Sequence, residues 1–303
     1  MISKDSRISA GITIFRNSLC DNLKMLKHKD SRLLSETRSI MRIAVYDDWI
    51  EEPKAFEEDN GSVVLTWDGE YRNKGRIEFT DLIPDKFYFV KVDAAIDEAL
   101  VLIKSDKVVY KIPFYEKKTS YNPIAFVGNR HIISIREAED FEINSYRNLA
   151  ANPFDQHEEA SVYPHASANV ETRGEAVFAA RNAIDGTIAT KHHGDWPYES
   201  WGINMQDDAE FKLDFGRPVD IDRIDLYTRA DFPHDNWWRA ATFSFSDGTT
   251  ETVSMEKEIT KPHTFMISRK AVSWIKLGNL IKADDPSPFP ALSQIKVFGT
   301  EAK

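Results

Sequence analysis

The chain has 303 residues, 42% of them hydrophobic, and a formal net charge of −10 at pH 7. That length suits two domains of roughly 100–150 residues better than one, and the acidic balance excludes a broad nucleic-acid or anionic-membrane surface, which needs clustered Lys and Arg. A single cysteine, Cys20, excludes an internal disulfide, and no run approaches the roughly 20 apolar residues that span a bilayer. Without the short apolar core of a signal peptide, the chain as written is expected in the cytoplasm.

Residues 1–40 differ in composition from the rest, with eight Lys/Arg against four Asp/Glu. Phe15, Leu19, Leu23 and Leu26 fall at helical spacing and predict one amphipathic helix with a basic opposite face. Such a short helical extension could dock on the first domain, serve as a membrane-surface or partner-binding arm, or be mobile. A start of translation at Met41, where the folded pattern begins abruptly, is a further reading.

From Met41 to about Ala150 the apolar runs are short and rich in β-branched and aromatic residues: Arg42–Tyr46, Ser62–Trp67, Arg76–Phe79, Phe87–Val92, Ala99–Ile103, Val108–Ile112 and His131–Ile135. Turn clusters such as Asp59-Asn60-Gly61 and Asp68-Gly69 punctuate them, and the rhythm predicts an ancillary β-sandwich over 41–150. Trp49, Trp67, Tyr71 and His131 could form a second ligand face, although core packing is the commoner use of such residues. The stretch Arg147–Asp155 breaks the rhythm with polar residues and a proline, which places the domain boundary there.

The rhythm resumes over 151–303 with Glu210–Phe215, Ile221–Thr228, Thr242–Ser246, Glu251–Ser254, His263–Ile267, Trp274–Leu280 and Gln294–Phe298. An all-β chain of two tandem sandwiches follows. Alternation in Phe211-Lys212-Leu213-Asp214-Phe215 puts the three apolar residues on one face, as core.

Within this half a series of pieces comes in a distinctive order: Ala166-Ser167-Ala168-Asn169, Asn182-Ala183-Ile184-Asp185-Gly186-Thr187, Ser200-Trp201-Gly202, Phe211–Gly216, Val219–Ile224, Phe245-Ser246-Asp247-Gly248 and Ile295–Thr300. Together they resemble the discoidin, or coagulation factor 5/8 C-terminal, domain. That domain is a galactose-binding-like jelly roll in a group that includes many bacterial carbohydrate-binding modules. The resemblance spans about 161–300 and implies a lectin-like, non-catalytic, carbohydrate-binding function. It also implies a structural calcium at the loop Ala183–Thr190, with Asp185 as side-chain ligand and Thr187 and Thr190 nearby. Gln294 stands where the family commonly has a glutamate, so the loop either binds Ca2+ or is held by Asp185 bonding the backbone of its own turn.

Two segments join aromatic and polar residues: Lys191–Trp201 and Arg229–Trp238. A sugar presents an apolar C–H face and a rim of hydroxyls, so its site needs an aromatic plate and fixed polar groups. Trp196 or Trp237 is the expected plate, with His193, Asp195, Arg229, Asp231, His234 and Asp235 addressing hydroxyls. The plainer alternative makes Trp201, Phe232 and Trp238 core or loop anchors and pairs Arg229 with Asp231 internally. The proline-rich loop Lys282–Pro290 could bring Asp284, Asp285 and Phe289 to the ligand. The expected partner is a glycan or oligosaccharide. The alternatives are a glycoside-processing enzyme, or its ancillary subunit, using carboxylates such as Asp231 and Asp235, and a module that binds a protein or forms an oligomer.

Overall fold

The computed structural model describes residues 40–48, 50–157, 159–191 and 193–303. The helix expected within 1–40, Trp49 and His192 lie outside the described residues. What is described is all-β, as the sequence rhythm predicts, with only short helical turns. Among the described residues no helix is long and apolar enough to cross a membrane.

The first sandwich is built from β1 (Ile40–Tyr46), β2 (Ala55–Asn60), β3 (Ser62–Trp67), β4 (Arg76–Thr80), β5 (Lys86–Lys91), β6 (Ala99–Ile103), β7 (Lys107–Lys111) and β8 (His131–Glu137). A four-stranded antiparallel sheet runs β2-β1-β4-β7, and a second sheet runs β6-β5-β8-β3. β3 shows why the sequence takes this form. Val63, Leu65 and Trp67 point inward while Ser62, Val64 and Thr66 face out, the period of two that leaves one face of a sheet apolar. Ile43, Val45, Ile77, Phe79 and Tyr110 from one sheet meet Leu65, Val90, Val101, Ile133 and Ile135 from the other in one core. Trp67, Tyr71 and His131 lie in or against this core, at 9%, 8% and 4% exposure, which is the packing use of such residues.

The second sandwich uses β9 (Arg147–Asn148), β11 (His165–Ala168), β12 (Trp201–Gly202), β13 (Phe211–Arg229), β14 (Trp238–Phe245), β15 (Thr250–Ser254), β16 (His263–Phe265), β17 (Arg269–Lys282) and β18 (Ala291–Glu301). The remaining strand, β10 (Val162–Tyr163), pairs with β6 of the first sandwich. β13 is the spine of the second sandwich. Its first part pairs with β11 and its second with β18 and β16, while β17 pairs with it on both sides of the bend, from Phe211 to Ile221. The strand turns between these partners at Gly216, whose φ of +69° suits glycine. A Cβ added at Gly216 would lie 2.4 Å from the ring of Tyr163. Phe211, Leu213 and Phe215 are fully buried, each worth about 1.5–3 kcal/mol of hydrophobic transfer.

The connection between the sandwiches crosses twice. Arg147 and Asn148 pair with β18, and Leu149 and Ala150 join the second core. Phe154 and Val162 then belong to the first core, before β11 returns to the second. Asp155 sits at the crossing, fully buried, accepting hydrogen bonds from the Ala166 N–H and the His165 ring. The Arg181 guanidinium donates to the Asp155 carbonyl at 2.9 Å and lies 4.4 Å over the Tyr121 ring of the first sandwich.

Candidate functional site

The end of β13 and the two loops beside it place the sequence-expected binding residues. Arg229, the last residue of β13, is 3% exposed, and its Nε and Nη2 donate to the carboxylate of Asp235 at 3.1–3.3 Å. Nη1 donates to Ser200 Oγ at 3.1 Å, and the guanidinium lies 4.1 Å from the Tyr198 ring centre. Asp235 also accepts the Phe232 N–H at 3.2 Å, while its own N–H donates to the Phe232 carbonyl at 2.9 Å. The pair therefore locks residues 229–235 into a tight turn. A buried ion pair tolerates desolvation only when it is this fully bonded. Arg229 and Asp235 were expected to address hydroxyls, and the structure gives them another use, since their polar atoms face each other and not solvent. Arg229 does pair internally, but with Asp235 and not with Asp231.

The groups left at the surface are His193, Phe232, His234 and Asp231. The two histidine Nε2 atoms stand 2.9 Å apart, and Tyr198 Oη lies 3.3 Å from His234 Nε2. His193 is exposed and packs on Tyr198 and Phe232, with ring centres 4.6 and 5.5 Å away. Tyr198 is 1% exposed under these rings, and burial pushes its hydroxyl up to about 12. Exposed Asp231 accepts a hydrogen bond from Thr190 Oγ1 at 2.7 Å, which joins the rims of the two loops. The third loop closes the side. Asn236 donates from its side chain to the Ser287 carbonyl at 2.7 Å, and the Phe289 ring stands 6.4 Å from His234.

The other expected residues are distributed differently. Trp196 is half-buried, and its N–H donates to the Thr119 carbonyl of the first sandwich. Trp237 is half-buried beneath Lys257, whose Nζ is 5.2 Å from the ring centre. Neither tryptophan makes a ring contact with the histidine pair, so the ring nearest to a plate beside it is Phe232. Trp201 and Trp238 are core residues at 0% exposure. Asp195 and Asp284 are exposed, and Asp285 caps its own turn through Ser287. Sequence reasoning passed over Tyr198, although its place inside the aromatic-polar segment Lys191–Trp201 was a usable signal.

The Asp-Gly turn lies behind this surface. Asp185 Oδ1 accepts the Thr187 N–H at 2.8 Å, and Gly186 has a φ of +97°. Gln294, on β18, accepts the Gly186 N–H at 3.0 Å on Oε1. Its Nε2 donates to the Asn182 carbonyl at 3.0 Å, with the Ser293 carbonyl at 3.1 Å and both Asp185 Oδ1 and the Thr187 carbonyl at 3.4 Å. Asp185 and Thr187 thus come together, whereas Thr190 is turned to Asp231. Burial pushes the Asp185 carboxyl up to about 6 against the opposing pull of Arg181. Glu199 is 1% exposed, and burial followed by the charge of Asp185 pushes it up to about 8. Among the described residues no group of three or more His, Cys, Asp or Glu side chains is placed to hold a metal ion.

Residues 161–298 match the family model of a domain of unknown function, DUF7402. A search of curated proteins finds no match. Solved structures similar to this chain include chitosan-binding module 1 of a chitosanase/glucanase from Paenibacillus sp. IK-5, at 17% identity over 50% of this chain and 98% of that one, with a TM-score of 0.35. The lectin domain of lectinolysin complexed with Lewis B antigen matches at 17% identity over 50% and 96%, TM-score 0.35. The family 32 carbohydrate-binding module of NanJ from C. perfringens, in complex with galactose, matches at 19% identity over 44% and 91%, TM-score 0.33.

Proposed function

We propose that this chain binds a glycan, without turning it over, on the surface formed by His193, Asp231, Phe232 and His234. The observation that carries this reading is the buried Arg229–Asp235 pair, which fixes a loop bearing the Phe232 ring and the His234 imidazole at its surface. Half-exposed Phe232 offers a face for sugar C–H groups. The imidazole nitrogens and the Asp231 carboxylate offer hydroxyls both donors and acceptors. Because the loop is braced before any ligand arrives, little ordering cost remains to oppose a weak polar ligand.

Hydrolysis through Asp231 and Asp235 fits this arrangement poorly. Glycosidic hydrolysis needs two carboxyl groups flanking one bond, and Asp235 is 2% exposed and engaged by Arg229 through both oxygens. Calorimetric titration of the full chain against a glycan panel tests the proposal. Binding is expected, with Phe232→Ala and His193→Ala each weakening it by about tenfold or more, the loss typical of a central interface contact. A folded chain that binds no glycan at millimolar concentration would overturn the reading.

A further inference from the structure

The resemblance of the Asp-Gly turn to a calcium loop meets a hydrogen-bond donor where a cation would need oxygen. We propose that the side-chain amide of Gln294 does the work of a divalent cation, tying the turn at Asn182–Thr187 to β18, and that the turn therefore takes up no calcium.

Calcium needs six to eight oxygen ligands at about 2.3–2.6 Å. The carbonyls of Asn182, Ser293 and Thr187 and Oδ1 of Asp185 do converge, but on Gln294 Nε2, at 3.0, 3.1, 3.4 and 3.4 Å. An amide NH2 has two donors and no lone pair to give a metal. The amide cannot simply turn over to offer its oxygen, because the Gly186 N–H already donates to Oε1 at 3.0 Å. Reversal would set NH2 against N–H on one side and oxygen against four oxygens on the other. Burial makes this choice expensive to violate, with Gln294 at 1% exposure and Asn182 at 0%.

Charge supports the same conclusion. The buried Arg181 guanidinium acts electrostatically on the Asp185 carboxylate from within the protein. A divalent ion placed there would face that guanidinium in a medium that screens poorly. The feature that favours a cation is Glu199, whose Oε1 is buried without a hydrogen-bond partner among the described residues. Its other oxygen, Oε2, accepts the Tyr198 N–H at 2.9 Å, and one further carboxylate does not supply the six to eight oxygens that calcium needs.

Thermal unfolding of the full chain in millimolar calcium chloride and in EDTA, with calorimetric titration of the chelated protein by calcium chloride, tests this. The expected midpoints coincide and the titration shows no binding heat. A rise of more than about 3 °C in calcium would overturn the proposal, because a ligand that binds the native state must raise its stability. Gln294→Glu supplies the missing oxygen and charge. That variant is expected to melt lower than the parent in EDTA, or not to fold, and to recover on addition of calcium. A folded Gln294→Glu protein that ignores calcium would show that the amide is not what keeps the cation out, and would equally overturn the proposal.

Discussion

Glu199 is the residue whose ionisation the fold opposes most plainly. Its folded value of about 8 lies above the ordinary 4.5 because burial and the neighbouring Asp185 both disfavour a second negative charge. An acid whose folded value is raised takes up a proton on folding, so its contribution to stability is full below about 4.5 and is lost as pH rises towards 8. The expected slope is on the order of 1 kcal/mol per pH unit in that window. Asp185, raised to about 6, adds the same sign over its lower part. Urea midpoints measured from pH 5 to 8 should fall with pH, and Glu199→Gln should flatten the curve; a parent midpoint that rises over this range would contradict the assignment. Little of this was legible in the sequence. A glutamate beside Ser200 and Trp201 carries no mark of burial, and its nearness to Asp185 arises only when the turn folds back. The same holds for His193 and His234, 41 positions apart in the chain and 2.9 Å apart in space. The sequence did present both loops as aromatic-polar segments. What it could not show was which carboxylate Arg229 would take, since Asp231 and Asp235 are equally plausible until the turn geometry selects one.

At the scale of elements, the strands were legible wherever one face meets a core. Alternation in β3 and in the first part of β13 marked buried positions directly. β2 escaped because an acidic edge strand, Ala-Phe-Glu-Glu-Asp-Asn, has no residue fully buried and so no alternation to read. β13 was read as two strands because Gly216-Arg217-Pro218 resembles a loop, whereas the backbone bends there and continues. Gly216→Ala should therefore be costly, forcing a side chain into positive φ and against the Tyr163 ring. A loss of at least about 2 kcal/mol in chemical denaturation is expected. A loss within about 0.5 kcal/mol would mean that the bend tolerates a Cβ and that Tyr163 moves freely aside.

Across the whole of residues 40–303, the two sandwiches share their connection. Leu149 serves the second core and Phe154 the first, five residues later. Arg147 and Arg217 both clamp Glu301, and Arg217 also covers Phe87 of the first sandwich, its guanidinium 4.9 Å from the ring centre. Two bodies joined by so many shared side chains should unfold together. Tryptophan fluorescence and far-ultraviolet circular dichroism are expected to give one coincident denaturation curve. Two separated transitions would show that the crossing contributes little to coupling.

The double crossing also bears on inheritance. A domain whose core contacts stay within its own boundaries can in principle fold wherever it is inserted. Here a break before Arg147 strips the first half of Phe154 and of β10, and a break after Tyr163 strips the second half of β9. Neither junction leaves two intact halves, so this pair of sandwiches is expected to travel through genomes as a single unit.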